Sequence, residues 1–112
     1  MYGIRKRILA IGIDFDDTIT AAPEMFEEII GIIKKHRHYV VIVTARDEGD
    51  YDDMLVEFEK IVDAVQFTNG RAKQDEAEGI DIWIDDFPLH ITHNFNEGVF
   101  EAGEKVGKWV RR

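Results

Sequence analysis

The segment at residues 11–20 reads IGIDFDDTIT, an apolar run followed at once by three carboxylates in four positions. The carboxylates lie one or two residues apart, so each raises the free energy of ionising the others unless they share a cation or a proton. A solvated turn after a buried strand also explains them, because Asp is a common turn residue and Thr18 or Thr20 can cap a helix. This segment alone leaves both interpretations open. The three acids are Asp14, Asp16 and Asp17.

Length and composition indicate a single globular domain over residues 1–112. The chain is long enough for one domain with a core and too short for two. It is 45% hydrophobic and 33% charged with two prolines, which argues against disorder and repeats. Its apolar runs are far shorter than the roughly 20 residues that cross a bilayer, and the RKR at 5–7 lacks the context of a signal peptide. We therefore expect a soluble, cytoplasmic protein that does not bind membranes.

Charge and cysteine content exclude several kinds of site. The formal net charge of -9 makes the average surface repel nucleic acid, and the small basic groups at 5–7 and 108–112 are most simply solvated termini. There is no cysteine, which excludes disulfides, thiolate catalysis and cysteine zinc sites. The available metal ligands are therefore oxygen and imidazole.

The first half of the chain predicts a strand, a helix and a second strand. Residues 8–14, ILAIGID, are almost continuously apolar, which is typical of a strand covered on both faces. Pro23 suits the first position of a helix that has acids in its opening turns and bases at its far end. Residues 39–44, YVVIVT, repeat the buried-strand pattern. The predicted buried stripe of the helix is Met25, Phe26, Ile29, Ile30, Ile32 and Ile33.

The second half continues this alternation. After the loop ARDEGD at 45–50, Asp50 is the predicted cap of a helix, a third strand lies within 63–68, and a short helix carries Lys73 and ends at Gly79. Residues 80–84, IDIWI, form the predicted fourth strand. The apolar stripe of the second long helix is Met54, Leu55, Phe58, Ile61 and Val62, and a terminal helix is predicted to have Val99, Phe100, Val106, Trp109 and Val110 on one face.

Strands that alternate with helices predict an α/β fold, namely a three-layer, doubly wound (Rossmann-like) parallel sheet, because parallel neighbours need crossover connections. In such sheets the site lies at the carboxyl ends of the strands. The acids of residues 14–17 follow the first strand, Thr44 ends the second, and Asp85 and Asp86 follow the fourth. Lys73 precedes that last strand. The acids that resemble a simple turn are therefore expected to converge on one mouth.

The order D-x-D-x-T after an apolar strand, Thr ending the second strand, Lys before the last strand and D-D after it resembles the haloacid dehalogenase superfamily of phosphohydrolases. These four motifs bracket residues 8–87. Many members insert a cap domain between the first and second motifs or between the second and third. Both intervals here have the length of ordinary crossovers, so the resemblance implies a minimal, capless core with an open site that admits nucleotides or larger phosphorylated substrates.

The resemblance implies a Mg²⁺-dependent phosphomonoester hydrolase that acts through an aspartyl-phosphate. Asp14 would be the nucleophile and Asp16 the general acid and base. Thr44 would bind a phosphoryl oxygen, and Lys73 would neutralise charge on it and on Asp14. The implied Mg²⁺ ligands are Asp14, the backbone carbonyl of Asp16, and Asp85, with Asp86 either a direct ligand or one shell further out.

Several residues keep two interpretations. Arg46 is a candidate ligand of the substrate phosphate, and an exposed arginine paired with Asp47 or Glu48 is an equal alternative. Arg71 has a weaker claim to the same role. Asp17 is interpreted as turn-forming. The pairs His36 with His38 and His90 with His93 are interpreted as surface histidines, because no third ligand is near.

Two other functions are weighed beside the hydrolase. A receiver-like regulatory domain that accepts phosphate on Asp is the main alternative, but it requires the acceptor on a middle strand, and the third strand here ends in QFT without an Asp. A metal-dependent nuclease lacks the basic surface that its substrate favours, so nucleic acid is expected only as a phosphorylated end. The sequence specifies neither the substrate nor the oligomeric state.

Overall fold

A computed structural model of the chain describes residues 6–94 and 109–110. The strands are β1 (Ala10–Ile13), β2 (Tyr39–Thr44), β3 (Ala64–Phe67), β4 (Ala77–Glu78), β5 (Ile82–Ile84) and β6 (Trp109–Val110). The helices are α1 (Pro23–Lys35), α2 (Asp53–Glu59), α3 (Lys73–Glu76) and α4 (Leu89–Thr92), and an irregular turn spans Phe15–Ile19. Within the described residues, no helix combines the length and the apolar character needed to cross a bilayer.

Four strands form a parallel sheet in the order β3-β2-β1-β5, which confirms the predicted α/β class. All of β1 is buried, as is β2 beyond Tyr39, and this explains why both strands are apolar at successive positions. β2 has the bounds predicted from the sequence. The strands predicted at 8–14 and 80–84 are shorter, because their outer residues lie beyond the register in which β1 pairs with β2 and β5.

The two faces of the sheet are covered differently. Side chains from α1 and α2 pack together on one face, where Phe26, Ile30, Leu55 and Phe58 join the inward residues of β1 and β2. The opposite face is covered by Ala77, Ile80, Trp83 and Trp109, which pack against Val41, Val43 and Ala64. The sheet therefore has a thick helical layer on one side and a thinner, partly aromatic layer on the other.

The strand order creates a crevice at one end of the sheet. From β1 the chain runs to β2 and β3 on one side, and it then returns to β5 on the other side of β1. Connections that diverge in this way leave space outside the carboxyl ends of the two strands. The backbone N–H of Asp14 donates to the carbonyl of Ile84 at 2.9 Å, which keeps the two strand ends adjacent. The residues after β1 and β5 therefore face one another.

Some of the predicted apolar stripes are exposed. Met25 and Ile32 of α1 are 49% and 59% exposed, because the buried face of that helix is narrower than its apolar content. Met54 is 37% exposed, and Ile61 lies beyond the end of α2 and is 39% exposed. The predicted stripes were therefore wrong at these four positions, which retain apolar side chains on the surface.

The cap of α2 was also predicted wrongly. Asp52, and not Asp50, precedes the helix, and its side chain accepts a hydrogen bond from the N–H of Leu55 at 2.9 Å. That bond satisfies one of the N–H groups that the first turn leaves without a partner in the helix. The loop before α2 is therefore two residues longer than predicted.

Two predictions for the last part of the chain differ from the structure. α3 ends at Glu76, and Gly79 lies beyond the short strand β4 with a φ of 81°, so this glycine provides a left-handed turn and does not end the helix. Trp109 and Val110 form β6, which pairs with β4, so they do not belong to a terminal helix. The other members of that predicted helix face, Val99, Phe100 and Val106, lie outside the described residues.

Gly12 leaves room for the aromatic layer, and we expect Gly12→Ala to destabilise the protein. A Cβ there would lie 3.0 Å from both Ile80 Cγ2 and the Trp83 ring, and relieving such contacts costs about 1–3 kcal/mol. Gly31→Ala is the matched control, since nothing lies within 4 Å of its added Cβ in α1, and helix propensity should stabilise the protein by roughly 0.5–1 kcal/mol. Urea unfolding measures both changes. A Gly12→Ala protein as stable as the wild type would contradict this packing.

Candidate active site

In the turn after β1, the acidic side chains point outward and the apolar side chains pack into the core. Phe15 and Ile19 are fully buried, whereas Asp16 and Asp17 are exposed. Asp17 has a φ of 63°, and its N–H donates to Thr20 Oγ1 at 2.9 Å. Asp tolerates this left-handed conformation better than most residues, which agrees with the turn-forming role predicted for Asp17.

A buried lysine joins the ends of β1 and β5. Lys73, the first residue of α3, is fully buried and donates to Asp14 Oδ1 at 2.8 Å and to Asp85 Oδ2 at 2.6 Å. The side chains of Asp14 and Asp85 are 8% and 1% exposed. Asp85 Oδ1 also accepts from the N–H of Phe87 at 2.9 Å, which fixes the plane of its carboxylate. The sequence-predicted convergence of Asp14, Lys73 and Asp85 is therefore present in the structure.

The hydroxyl of Thr18 bridges two of the carboxylates. Thr18 Oγ1 lies 3.0 Å from Asp14 Oδ2 and 3.2 Å from Asp86 Oδ1, and it accepts from the N–H of Asp86 at 3.2 Å. From the sequence, Thr18 is predicted only as a helix cap or as the last residue of the D-x-D-x-T motif. Its separation of four residues from Asp14, across one irregular helical turn, is the signal that its side chain returns to the same acid.

Burial and charge shift the proton affinities of these acids. Burial raises the pKa of Asp14 to about 6, although the ammonium of Lys73 acts in the opposite direction. A hydrogen bond with Asp14, supported by the Thr18 hydroxyl, lowers the pKa of Asp86. Three carboxylates that face one ammonium leave an excess of negative charge, which a proton on Asp14 relieves at low pH.

The same three carboxylates suit a divalent cation. Asp14, Asp85 and Asp86 each present an oxygen, and these oxygens lie within 4.8 Å of one another. Neighbouring ligands at about 2.1 Å from a Mg²⁺ ion lie roughly 3 Å apart, a spacing that this 4.8 Å limit permits. Hard carboxylate oxygens are the ligands that Mg²⁺ prefers. The described carboxylates therefore form a group that could hold a metal ion.

The side chain of Asp16 lies apart from this cluster. Arg46 holds it in a two-pronged ion pair, with Nε 2.9 Å from Asp16 Oδ2 and Nη2 2.8 Å from Asp16 Oδ1. Arg46 Nη2 also lies 2.9 Å from Asp52 Oδ2, and Nη1 donates to the carbonyl of Asp50 at 3.0 Å. The described ion pairs of Arg46 are therefore with Asp16 and Asp52, and not with its predicted neighbours in the chain.

Thr44 and Arg71 are the two remaining residues predicted for the site. Thr44 is fully buried at the end of β2, and its hydroxyl accepts from the N–H of Arg46 at 3.3 Å, which leaves its own proton to donate. Arg71 Nη1 lies 3.6 Å from Glu76 Oε1, within the segment that forms α3. Arg71 is thus engaged by a buried glutamate on its own segment.

A cavity of about 200 Å³ opens above Asp14. Two rings lie at its rim, where Phe87 and His90 have centroids 4.5 Å apart. Burial, followed by the charge of Lys73, lowers the pKa of His90. The described residues that line the cavity include no Lys or Arg. The lining residues are Asp14, Asp16, Asp17, Ala45, Asp86, Phe87 and His90.

From the sequence, His90 is predicted to be a surface histidine; in the structure it is partly buried and lines the cavity. Its position four residues after Asp86, across the turn at Pro88, is the signal that it returns to the mouth. His38 Nδ1 accepts from the N–H of Leu9 at 3.0 Å and so supports the start of β1. Among the described residues, the carboxylate group above is the metal-ligand cluster found, and it contains no histidine.

The chain was compared with models of protein families, with curated proteins and with solved structures, and none of the three comparisons found a match. The chemistry of the site is therefore inferred from its own residues.

In metal-free protein, the stability should fall as the pH rises towards neutrality. The pKa of Asp14 is about 6 in the folded state and 3.8 ordinarily, so the folded protein holds a proton between these values that the unfolded chain has released. The contribution is complete below pH 4 and is lost as the pH rises through 6, by at most about 3 kcal/mol. Urea unfolding in a chelator, from pH 4 to 7, measures this change.

Asp14→Asn should flatten that part of the pH dependence, whereas Asp47→Asn, at an exposed loop residue, should leave it in place. A slope that persists unchanged in Asp14→Asn would assign the proton to another group.

Proposed function

We propose that this chain is a Mg²⁺-dependent phosphomonoester hydrolase that acts through an aspartyl-phosphate, with a doubly wound, capless core of the haloacid dehalogenase kind. The observation that carries the proposal is the contact of one buried ammonium, that of Lys73, with Asp14 and Asp85 at 2.8 and 2.6 Å. A nucleophilic carboxylate must remain ionised in a buried site, and a fixed cation beside it favours that form.

Formation of the phosphoenzyme requires a nucleophile, an acid and a bound phosphoryl group. A carboxylate oxygen of Asp14 attacks phosphorus, the bond to the leaving oxygen breaks, and Asp16 gives that oxygen a proton. By the resemblance, the hydroxyl of Thr44 and the ammonium of Lys73 would bind the phosphoryl oxygens, although both residues are fully buried and neither is among the described residues that line the cavity.

Breakdown of the phosphoenzyme uses the same residues in reverse roles. Asp16, now ionised, removes a proton from water, the water oxygen bonds to phosphorus, and the bond from phosphorus to Asp14 breaks. Inorganic phosphate leaves, and Asp14 returns to its starting state.

Asp14, Asp85 and the backbone carbonyl of Asp16 would hold the Mg²⁺, with Asp86 beside them. Bound there, the ion would supply charge neutralisation at the phosphoryl oxygens. The excess of carboxylates over Lys73 and the mutual distances of their oxygens support this assignment.

The rim of the cavity supports a substrate with one phosphate and a planar ring. Phe87 is 41% exposed and lies against His90, so a base or an aryl group has an aromatic surface on which to stack. The carboxylates among the described lining residues are those of Asp14, Asp16, Asp17 and Asp86. Their negative charge would repel a substrate that carries more than one phosphate. We therefore favour nucleoside monophosphates and aryl phosphates over phosphorylated ends of nucleic acids.

A receiver-like regulatory domain receives less support. Its phosphate acceptor would follow a middle strand in chain order. Here β3 ends at Phe67 and is followed by Thr68, and the candidate nucleophile follows β1. A residue suited to general acid-base catalysis also lines the cavity, and a lasting phosphate mark does not need one.

Turnover of p-nitrophenyl phosphate should require Mg²⁺ and stop in a chelator. Asp14→Asn should abolish the covalent phosphoenzyme, because the amide oxygen is a poor nucleophile. Asp16→Asn should still be phosphorylated but turn over roughly 10²–10⁴-fold more slowly, because proton transfer is lost. Steady-state rates and acid-quenched labelling measure these effects. Full activity in chelator would refute the metal role, and covalent labelling of Asp14→Asn would refute the nucleophile.

Nucleoside 5′-monophosphates should be preferred over ribose 5-phosphate by roughly tenfold in kcat/KM, since stacking a base on an aromatic side chain contributes about 1–3 kcal/mol. Phe87→Ala should remove this preference, while Leu89→Ala, next to the rim and 51% exposed, should retain it. An oligonucleotide 5′-phosphate should be a poor substrate that improves with added salt, because salt screens the acidic rim. Equal rates for the nucleotide and ribose 5-phosphate in the wild type would contradict the stacking role.

A further inference from the structure

Arg46 makes several hydrogen bonds at the outer side of the described site. Its guanidinium donates to both oxygens of Asp16, to Asp52 and to the carbonyl of Asp50. The central guanidinium carbon of Arg46, Cζ, lies 5.1 Å from the centre of the buried Phe15 ring, a distance at which the ring face attracts a cation. Only 15% of the Arg46 side chain is exposed, against 50% for Asp16. The arginine is therefore the fixed member of the pair, and the aspartate depends on it for its position.

We infer that Arg46 is a positioning residue that holds the Asp16 carboxylate over the cavity, where Asp16 acts as the base in phosphoenzyme breakdown. This inference rests on the proposed function. A half-exposed aspartate without a partner samples several rotamers, whereas a base must lie within hydrogen-bond reach of the proton that it removes. The fork of Arg46 uses one site on each Asp16 oxygen and leaves other lone pairs to accept that proton.

The loop between β2 and α2 contributes to this arrangement. Asp52 caps α2 through the N–H of Leu55 and also binds Arg46, so the guanidinium is tied to the first turn of a helix. The carbonyl of Asp50 accepts a further hydrogen bond from Arg46, which also restricts the orientation of the guanidinium. The position of Asp16 thus depends on β2, on the loop and on α2, although Asp16 itself follows β1.

A substrate-binding role for Arg46 leads to a different kinetic result. An arginine that binds the substrate phosphate would first have to leave Asp16, and its removal would raise KM and lower kcat/KM. An arginine that positions the base acts after the phosphoenzyme has formed, so its removal lowers kcat and lets the phosphoenzyme accumulate. With p-nitrophenyl phosphate, whose leaving group needs no protonation, formation of the phosphoenzyme is insensitive to Asp16.

The test measures p-nitrophenyl phosphate hydrolysis and the phosphoenzyme level in the wild type, Arg46→Ala and Arg46→Lys. For Arg46→Ala we expect kcat to fall roughly 10- to 100-fold, as expected for a misplaced catalytic group. KM should fall with it, so that kcat/KM changes by less than about threefold and the phosphoenzyme fraction rises. The kcat and the phosphoenzyme fraction of Arg46→Lys should lie between those of the wild type and Arg46→Ala, because an ammonium keeps the charge but cannot bind both carboxylate oxygens as the guanidinium does.

Lys34→Ala is the matched control. Lys34 contacts both oxygens of Asp63 at 2.6 Å, at the opposite end of the sheet, so this change removes a comparable ion pair away from the cavity. It should leave kcat, KM and the phosphoenzyme fraction unchanged. Thermal unfolding of each variant measures any loss of folded protein, which would lower activity and phosphoenzyme in parallel.

Two results would overturn the inference alone, while the hydrolase function stands. One is a wild-type phosphoenzyme with an Arg46→Ala variant whose KM rises and whose phosphoenzyme fraction falls. The other is an Arg46→Ala effect that is undiminished in an Asp16→Asn background, because residues that act through one another do not lower the rate independently. A wild-type protein that hydrolyses no phosphoester and forms no phosphoenzyme would overturn the proposed function first, and the inference with it.

Discussion

The contact of Lys73 with Asp14 and Asp85 is the constraint on which the arrangement of the site depends. A fully buried ammonium is strongly destabilising without partners, so the two carboxylates must remain where the lysine reaches them. The three residues belong to the ends of β1 and β5 and to the start of α3. One charged contact therefore fixes the relative positions of three elements at the carboxyl end of the sheet.

The strand order determines which acids this lysine joins. Because β5 returns beside β1 and not beside β3, Asp85 lies opposite Asp14, with Asp86 next in the chain. The irregular turn then brings Thr18 to both Asp14 and Asp86. Burial at this crevice raises the pKa of Asp14 to about 6 while leaving the cluster short of positive charge. The same geometry that disfavours three bare carboxylates is the geometry that favours a cation.

The site has an inner part and an outer part with different electrostatic environments. In the inner part, Lys73 and its carboxylates are almost completely buried, so their interactions are little screened by solvent. In the outer part, Asp16 is half exposed and is held by an arginine that is itself anchored to Asp52 and Phe15. A buried carboxylate and a more accessible one suit the two proposed steps, because the proposed acid-base residue, Asp16, would exchange protons with water.

The sequence by itself determined the parallel α/β class, the bounds of β2 and the convergence of Asp14, Lys73, Asp85 and Asp86. These follow from local patterns, since buried β-branched runs specify strands and the ends of parallel strands share one edge. It did not determine the partners of Arg46, the bridge of Thr18 or the return of His90 to the mouth. It also placed Met25 and Ile32 in the core. Those features depend on side-chain directions and on distances between segments far apart in the chain. Only packing of the whole sheet, its helices and the turn after β1 decides them.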